Sequence, residues 1–137
     1  MTLKRKLLFS ALGGIPLLLL LVVFLLSSPM MDVYQRRIDR KPDTDFSRWL
    51  QLASADACFK TWRYGFAATA YRNFYERYTR DERRAGALLR YAQSLEEAER
   101  NADARDIYEK YIAEYPELEG KTEAERGMKR IANCKKQ

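Results

Sequence analysis

The heptapeptide RNFYERY at residues 72–78 returns as RDIYEKY at residues 105–111, with the same class of side chain at every position. No other feature of this 137-residue chain constrains the fold so tightly. Tyr71, Tyr75 and Tyr78 in one copy match Ala104, Tyr108 and Tyr111 in the other. Steps of four and three place such side chains on one face of a helix. A helix pair of about 34 residues that cannot bury its apolar face alone can bury it against the next pair. The repeat therefore predicts a stack of helices.

The surrounding chain agrees. Residues 44–133 show no strand-like alternation and are rich in Ala, Leu, Arg, Glu, Lys and Gln, the residues that helices favour. The expected class is all-α, with helices over 45–63, 66–80, 82–100, 102–114 and 120–134. The breaks fall at Gly65, Thr79-Arg80-Asp81, Asn101 and Tyr115-Pro116. Asn101 or Asp103 can cap the fourth helix, and Pro116 ends it. Short connections make sequential helices antiparallel, and the fifth helix closes the stack as a cap.

The N-terminal part differs in kind. Residues 7–26, LLFSALGGIPLLLLLVVFLL, are twenty without a charge, which as a helix would cover about 30 Å, the thickness of a bilayer's hydrocarbon core. The reading is a transmembrane signal anchor over residues 1–28. A cleaved signal peptide fits less well, because its apolar region runs only about 7 to 15 residues and ends in small residues. Pro16 kinks the span; with Gly13 and Gly14 it marks either a tolerated bend or a membrane-packing face. Lys4, Arg5 and Lys6 on one side nearly balance Arg36, Arg37, Arg40 and Lys41 on the other, and both clusters suit lipid headgroups. Residues 29–43 read as a charged connector, since Pro42 keeps Lys41 out of the helical region. A folded domain then covers 44–137. The expected location is a single-pass protein of a bacterial inner membrane, with that domain on the periplasmic side.

The helical pattern resembles the tetratricopeptide repeat family. In the unit from 85 to 118, Leu88, Tyr91, Ala92 and Leu95 fall at the family's first-helix points, and Ala104, Tyr108, Tyr111 and Pro116 at the second-helix points. In the unit from 52 to 84 the corresponding residues are Ala55, Cys58, Phe59 and Trp62, then Tyr71, Tyr75 and Tyr78. There Phe59 and Tyr71 stand where small residues belong, and Arg83 stands in place of the proline. A plain helical bundle is the alternative. The resemblance implies a protein-binding groove lined by first helices, at Asp56, Lys60, Arg63 and Tyr64 in one unit and Leu89, Gln93, Glu96 and Glu97 in the next. It implies a scaffold or assembly factor for envelope proteins, or else a permanent accessory subunit of a larger membrane complex.

Other functions find less support. The chain has no histidine, which removes the commonest general base and metal ligand, and no glycine-rich phosphate loop appears. Carboxylates such as Glu96, Glu97 and Glu99 fit ion pairing along a helix better than catalysis. The expectation is no enzyme, no cofactor, no metal and no small-molecule substrate. Cys58 and Cys134 are the only cysteines. They belong to helices two stacking steps apart, at roughly 8 to 10 Å per step, so their Cα atoms should exceed the disulfide limit of about 7 Å. Free thiols are expected, Cys58 buried and Cys134 near a frayed end. The net charge of +6 and pI near 9.4 raise nucleic acid as a partner. The excess lies at the flanks of the apolar run, and the remaining cluster of Arg77, Arg80, Arg83 and Arg84 reads as a solvated face. Partners are therefore expected to be proteins and membrane lipid.

Overall fold

The computed structural model describes residues 18–22, 24, 28–40 and 44–134. Among them every regular element is a helix. We number six: α1 Ser28–Arg40, α2 Asp45–Lys60, α3 Tyr64–Arg77, α4 Arg84–Glu97, α5 Asn101–Glu114 and α6 Gly120–Cys134. Each packs on its neighbour in chain order, and α6 also touches α4. The helix-rich half of the expected fold class stands.

Its membrane half is corrected. Among the described residues no helix is long and apolar enough to cross a membrane. This overturns the single transmembrane helix over 7–26 and, with it, the location as a single-pass inner-membrane protein. A transmembrane helix needs about 20 consecutive apolar residues. Of the expected span only residues 18–22 and 24 are described, all of them helical, and the others lie outside the described residues. Gly13, Gly14 and Pro16, the expected membrane-packing residues, lie outside the described residues.

The connector expected over 29–43 is instead helical through most of its length. Its charges sit outward while Ile38 is 1% exposed, and α1 packs against α2. Arg77 of α3 pairs with Asp39 at 2.7 Å, and Gln35 donates to Asp39 one turn away at 3.1 Å. Arg37 and Arg40 in the last turn complement the helix dipole.

The remaining five helices form two pairs and a further helix, α6, with a spacing that differs from the sequence repeat. The turn closing α2 bonds Arg63 N to Cys58 O at 2.9 Å and Trp62 N to Phe59 O at 3.2 Å. The turn closing α4 bonds Arg100 N to Leu95 O and Glu99 N to Glu96 O, both at 2.9 Å. Trp62 and Glu99 take left-handed φ values of 59° and 60°, as a helix-ending turn of this kind requires. The two turns are the same device, 37 positions apart. Buried residues follow that step: Ala55 with Ala92, Cys58 with Leu95, Ala67 with Ala104, Tyr71 with Tyr108, Phe74 with Tyr111. The true spacing exceeds that of the heptapeptide by four residues, about one helical turn.

This register corrects the reading of the first pair. Its close-packed small positions are held by Ala55 and Ala67, each wholly buried, and not by Phe59 and Tyr71. Tyr71 is a large core residue like Tyr108. Gly65 lies inside the first turn of α3, and the break falls at Trp62. The cap of α5 is Arg100, which makes no side-chain cap bond; its guanidinium instead reaches Asp103 at 2.8 Å.

At the far end α6 lies flat on α5. It buries Ala124, Gly127 and Ile131, a three-and-four step that marks one helical face. A Cβ added to Gly127 would fall 2.4 Å from Tyr108 Cζ, so only glycine permits this approach. Cys58 is buried and Cys134 exposed, and both are free.

Candidate functional site

Pairing α2 with α3 and α4 with α5 leaves the first helices of the two pairs side by side. Between them runs an open cleft of about 490 Å³. Leu52 and Asp56 of α2 form one wall, Ala87, Leu89, Arg90 and Gln93 of α4 the other. Tyr71 closes the floor, and Glu82 and Arg83 stand at one end. A Cβ added to Gly86, also on this wall, would meet nothing within 4 Å.

The polar groups of the cleft are held in place. The Tyr71 hydroxyl donates to Asp56, and burial, reinforced by that carboxylate, holds the phenol well above its ordinary pKa. Arg83 is clamped on Asp81 through two nitrogens at 2.9 and 2.8 Å. Burial works to raise the Asp81 pKa, but the Arg83 hydrogen bond is stronger and holds it low. Arg90 leans on the Phe59 ring at 5.5 Å and donates to Gln93 at 3.3 Å. Asp56 and Glu82 balance Arg83 and Arg90. The cleft thus offers apolar wall, donors and acceptors without a dominant charge.

Three of the expected groove residues, Asp56, Leu89 and Gln93, meet in this cleft. Lys60, Arg63, Tyr64 and Glu97 do not line it. Lys60 is exposed in the last turn of α2. Arg63 stacks on Phe66 at 4.4 Å, and Tyr64 sets its ring edge-on to Phe59 at 5.3 Å, with Glu97 beside its hydroxyl. Those residues cluster at the turn end of the pairs. Glu96 is structural: it accepts from Tyr108 at 2.6 Å and from Arg130 at 2.7 and 2.9 Å.

Sequence reasoning missed Leu52, Tyr71, Gly86 and Arg90 as cleft residues. Tyr71 was legible only as core, since nothing local shows that its hydroxyl reaches across to α2. Gly86 could have been found as a helix-disfavouring residue inside a segment otherwise rich in Ala, Leu, Arg and Glu.

No protein-family model and no curated protein matches the chain.

Proposed function

We propose that this chain is a protein-binding helical-repeat module of tetratricopeptide-like type, which takes a peptide segment of a partner into the cleft between α2 and α4. The observation that carries the reading is the convergence of Asp56, Leu89 and Gln93 from two successive first helices on one cleft. Stacked helix repeats use concave surfaces of this kind for binding. The two turns 37 positions apart support a repeat, three residues longer than the usual tetratricopeptide unit of about 34. A scaffold that holds partner proteins fits an open cleft of balanced charge.

The test is blockade of the cleft. Peptides are selected from a random library on the full chain, and their affinities measured by calorimetry for wild type and Gly86→Trp. The new ring has room, so the melting temperature should hold while affinity falls at least tenfold. Equal affinity in both proteins would place the binding elsewhere.

A further inference from the structure

A second surface, sharing no residue with the cleft, lies where α1 meets the start of α2. Eight described arginines have a carboxylate within 4.0 Å: Arg48, Arg77, Arg83, Arg84, Arg100, Arg105, Arg126 and Arg130. Arg36, Arg37 and Arg40 have none among the described residues, although they sit together on two turns of one helix. Side chains three and four apart on a helix are surface neighbours, so three positive charges are held together with no ion-pair partner among the described residues. Two clefts flank them. One, of about 410 Å³, is walled by Phe46 with Arg37, Arg40, Thr44 and Ser47. The other, of about 240 Å³, is walled by Val33 with Arg36, Arg37 and Arg40. Arg37 and Arg40 line both and form the ridge between them. Phe46 and Trp49 stack at 5.9 Å with each residue more than half exposed, and Val33 is 51% exposed.

We infer that this surface docks a short acidic segment of a partner protein, with carboxylates on the Arg37 and Arg40 ridge and an apolar side chain in each cleft. A guanidinium takes a carboxylate through two parallel hydrogen bonds. Arginine and aromatic residues together are the usual anchors of protein interfaces. A long polyanion fits less well, because Asp32 and Asp45 stand exposed around the patch and would repel a chain of phosphates running past it. An anionic lipid surface is disfavoured by the same two carboxylates, which would face its headgroups.

Trp49 supplies the readout. In a Trp62→Phe background it is the only tryptophan. The full chain is titrated with a capped peptide containing Leu-Glu-Glu-Leu and with its Leu-Gln-Gln-Leu counterpart, while Trp49 emission is followed. The glutamate peptide should give a saturable shift, weakened at least tenfold by glutamine replacement, by Arg37→Gln with Arg40→Gln, and by Phe46→Ser. Each replaced side chain points to solvent, and circular dichroism should remain unchanged. Gly86→Phe, which fills the cleft without adding a second indole, should leave this binding intact, which separates it from the cleft. No saturable shift, equal binding of the glutamine peptide, or indifference to the arginine pair would overturn the inference. So would tighter binding of a thymidine oligonucleotide or of phosphatidylserine vesicles than of the glutamate peptide.

Discussion

The two helix pairs share one backbone plan and put it to different uses. In the second pair Tyr108 is wholly buried, its hydroxyl on Glu96 and its ring beneath Gly127, with Arg130 closing over the carboxylate. Leu88 and Leu95 complete a closed interior. In the first pair the equivalents of Leu88 and Leu95 are Gln51 and Cys58, both buried. Tyr71 lines the open cleft, and a tryptophan, 79% exposed, occupies the left-handed turn. A repeated frame can be built from unequal interiors because the turn and the small-residue contacts set the frame. The large side chains are then free to close one pair and open the other.

Deleting the two matched tyrosines breaks or confirms that contrast with the largest effect. Tyr108→Ala should lose about 3 to 5 kcal/mol in urea denaturation, as large aromatic truncations in a closed core do. Tyr71→Ala should lose less, since its cavity opens onto the cleft and water can enter. Equal losses would mean that the first pair is as closed as the second. Next in size is Gly127→Val, which forces α6 off the Tyr108 ring. A loss of about 2 kcal/mol is expected for such overpacking, with hydrogen-exchange protection falling in α6 first. Gln51→Leu gives the first pair the second pair's residue. Gln51 donates to Ala70 O at 3.2 Å while its own Oε1 accepts no hydrogen bond among the described residues, so replacing it should stabilise by about 1 kcal/mol.

Acid should act on the second pair through Glu96. Burial alone would raise its pKa, but the hydrogen bonds from Arg130 and Tyr108 outweigh burial and hold it below the ordinary 4.5. A carboxylate with a depressed folded pKa contributes stability that is complete above its unfolded value and lost as pH falls through the folded one. The melting temperature should therefore fall below pH 4.5, and Glu96→Gln should flatten that part of the profile. An unchanged slope would show that the Glu96 contacts do not hold α6. The smallest effect tests what the pairs share. Trp62→Gly and Glu99→Gly both relieve a left-handed residue and should each stabilise by up to about 1 kcal/mol, within a few tenths of one another.

The helices themselves were readable because apolar spacing and helix-favouring residues act within one segment at a time. The same local logic explains where reading went astray. The heptapeptides suggest a step of 33, whereas the paired turns and the buried alanines set 37. A slip of four residues is close to one helical turn and returns nearly the same face, so sequence similarity cannot tell the two registers apart. The transferred groove residues split for this reason: Asp56, Leu89 and Gln93 reached the cleft, while Arg63, Tyr64 and Glu97 gathered at the turn. The apolar run at the N-terminus was equally plain as composition, yet composition does not establish a continuous helix of membrane-spanning length.

The sequence by itself determined that residues 44–134 fold as helices, that the repeated tyrosines share a buried face, and that a chain without histidine lacks the usual catalytic base. Only the tertiary structure decided the 37-residue register, the helical state of α1, the choice of Tyr71 as cleft floor, and the pairing of Glu96 with both Tyr108 and Arg130. The division has a physical cause. Periodicity and propensity depend on neighbours within a turn or two of helix, whereas register and site depend on contacts between side chains far apart in the chain, such as Glu96 with Arg130 or Tyr75 with Glu114. Those contacts exist only after the helices have met.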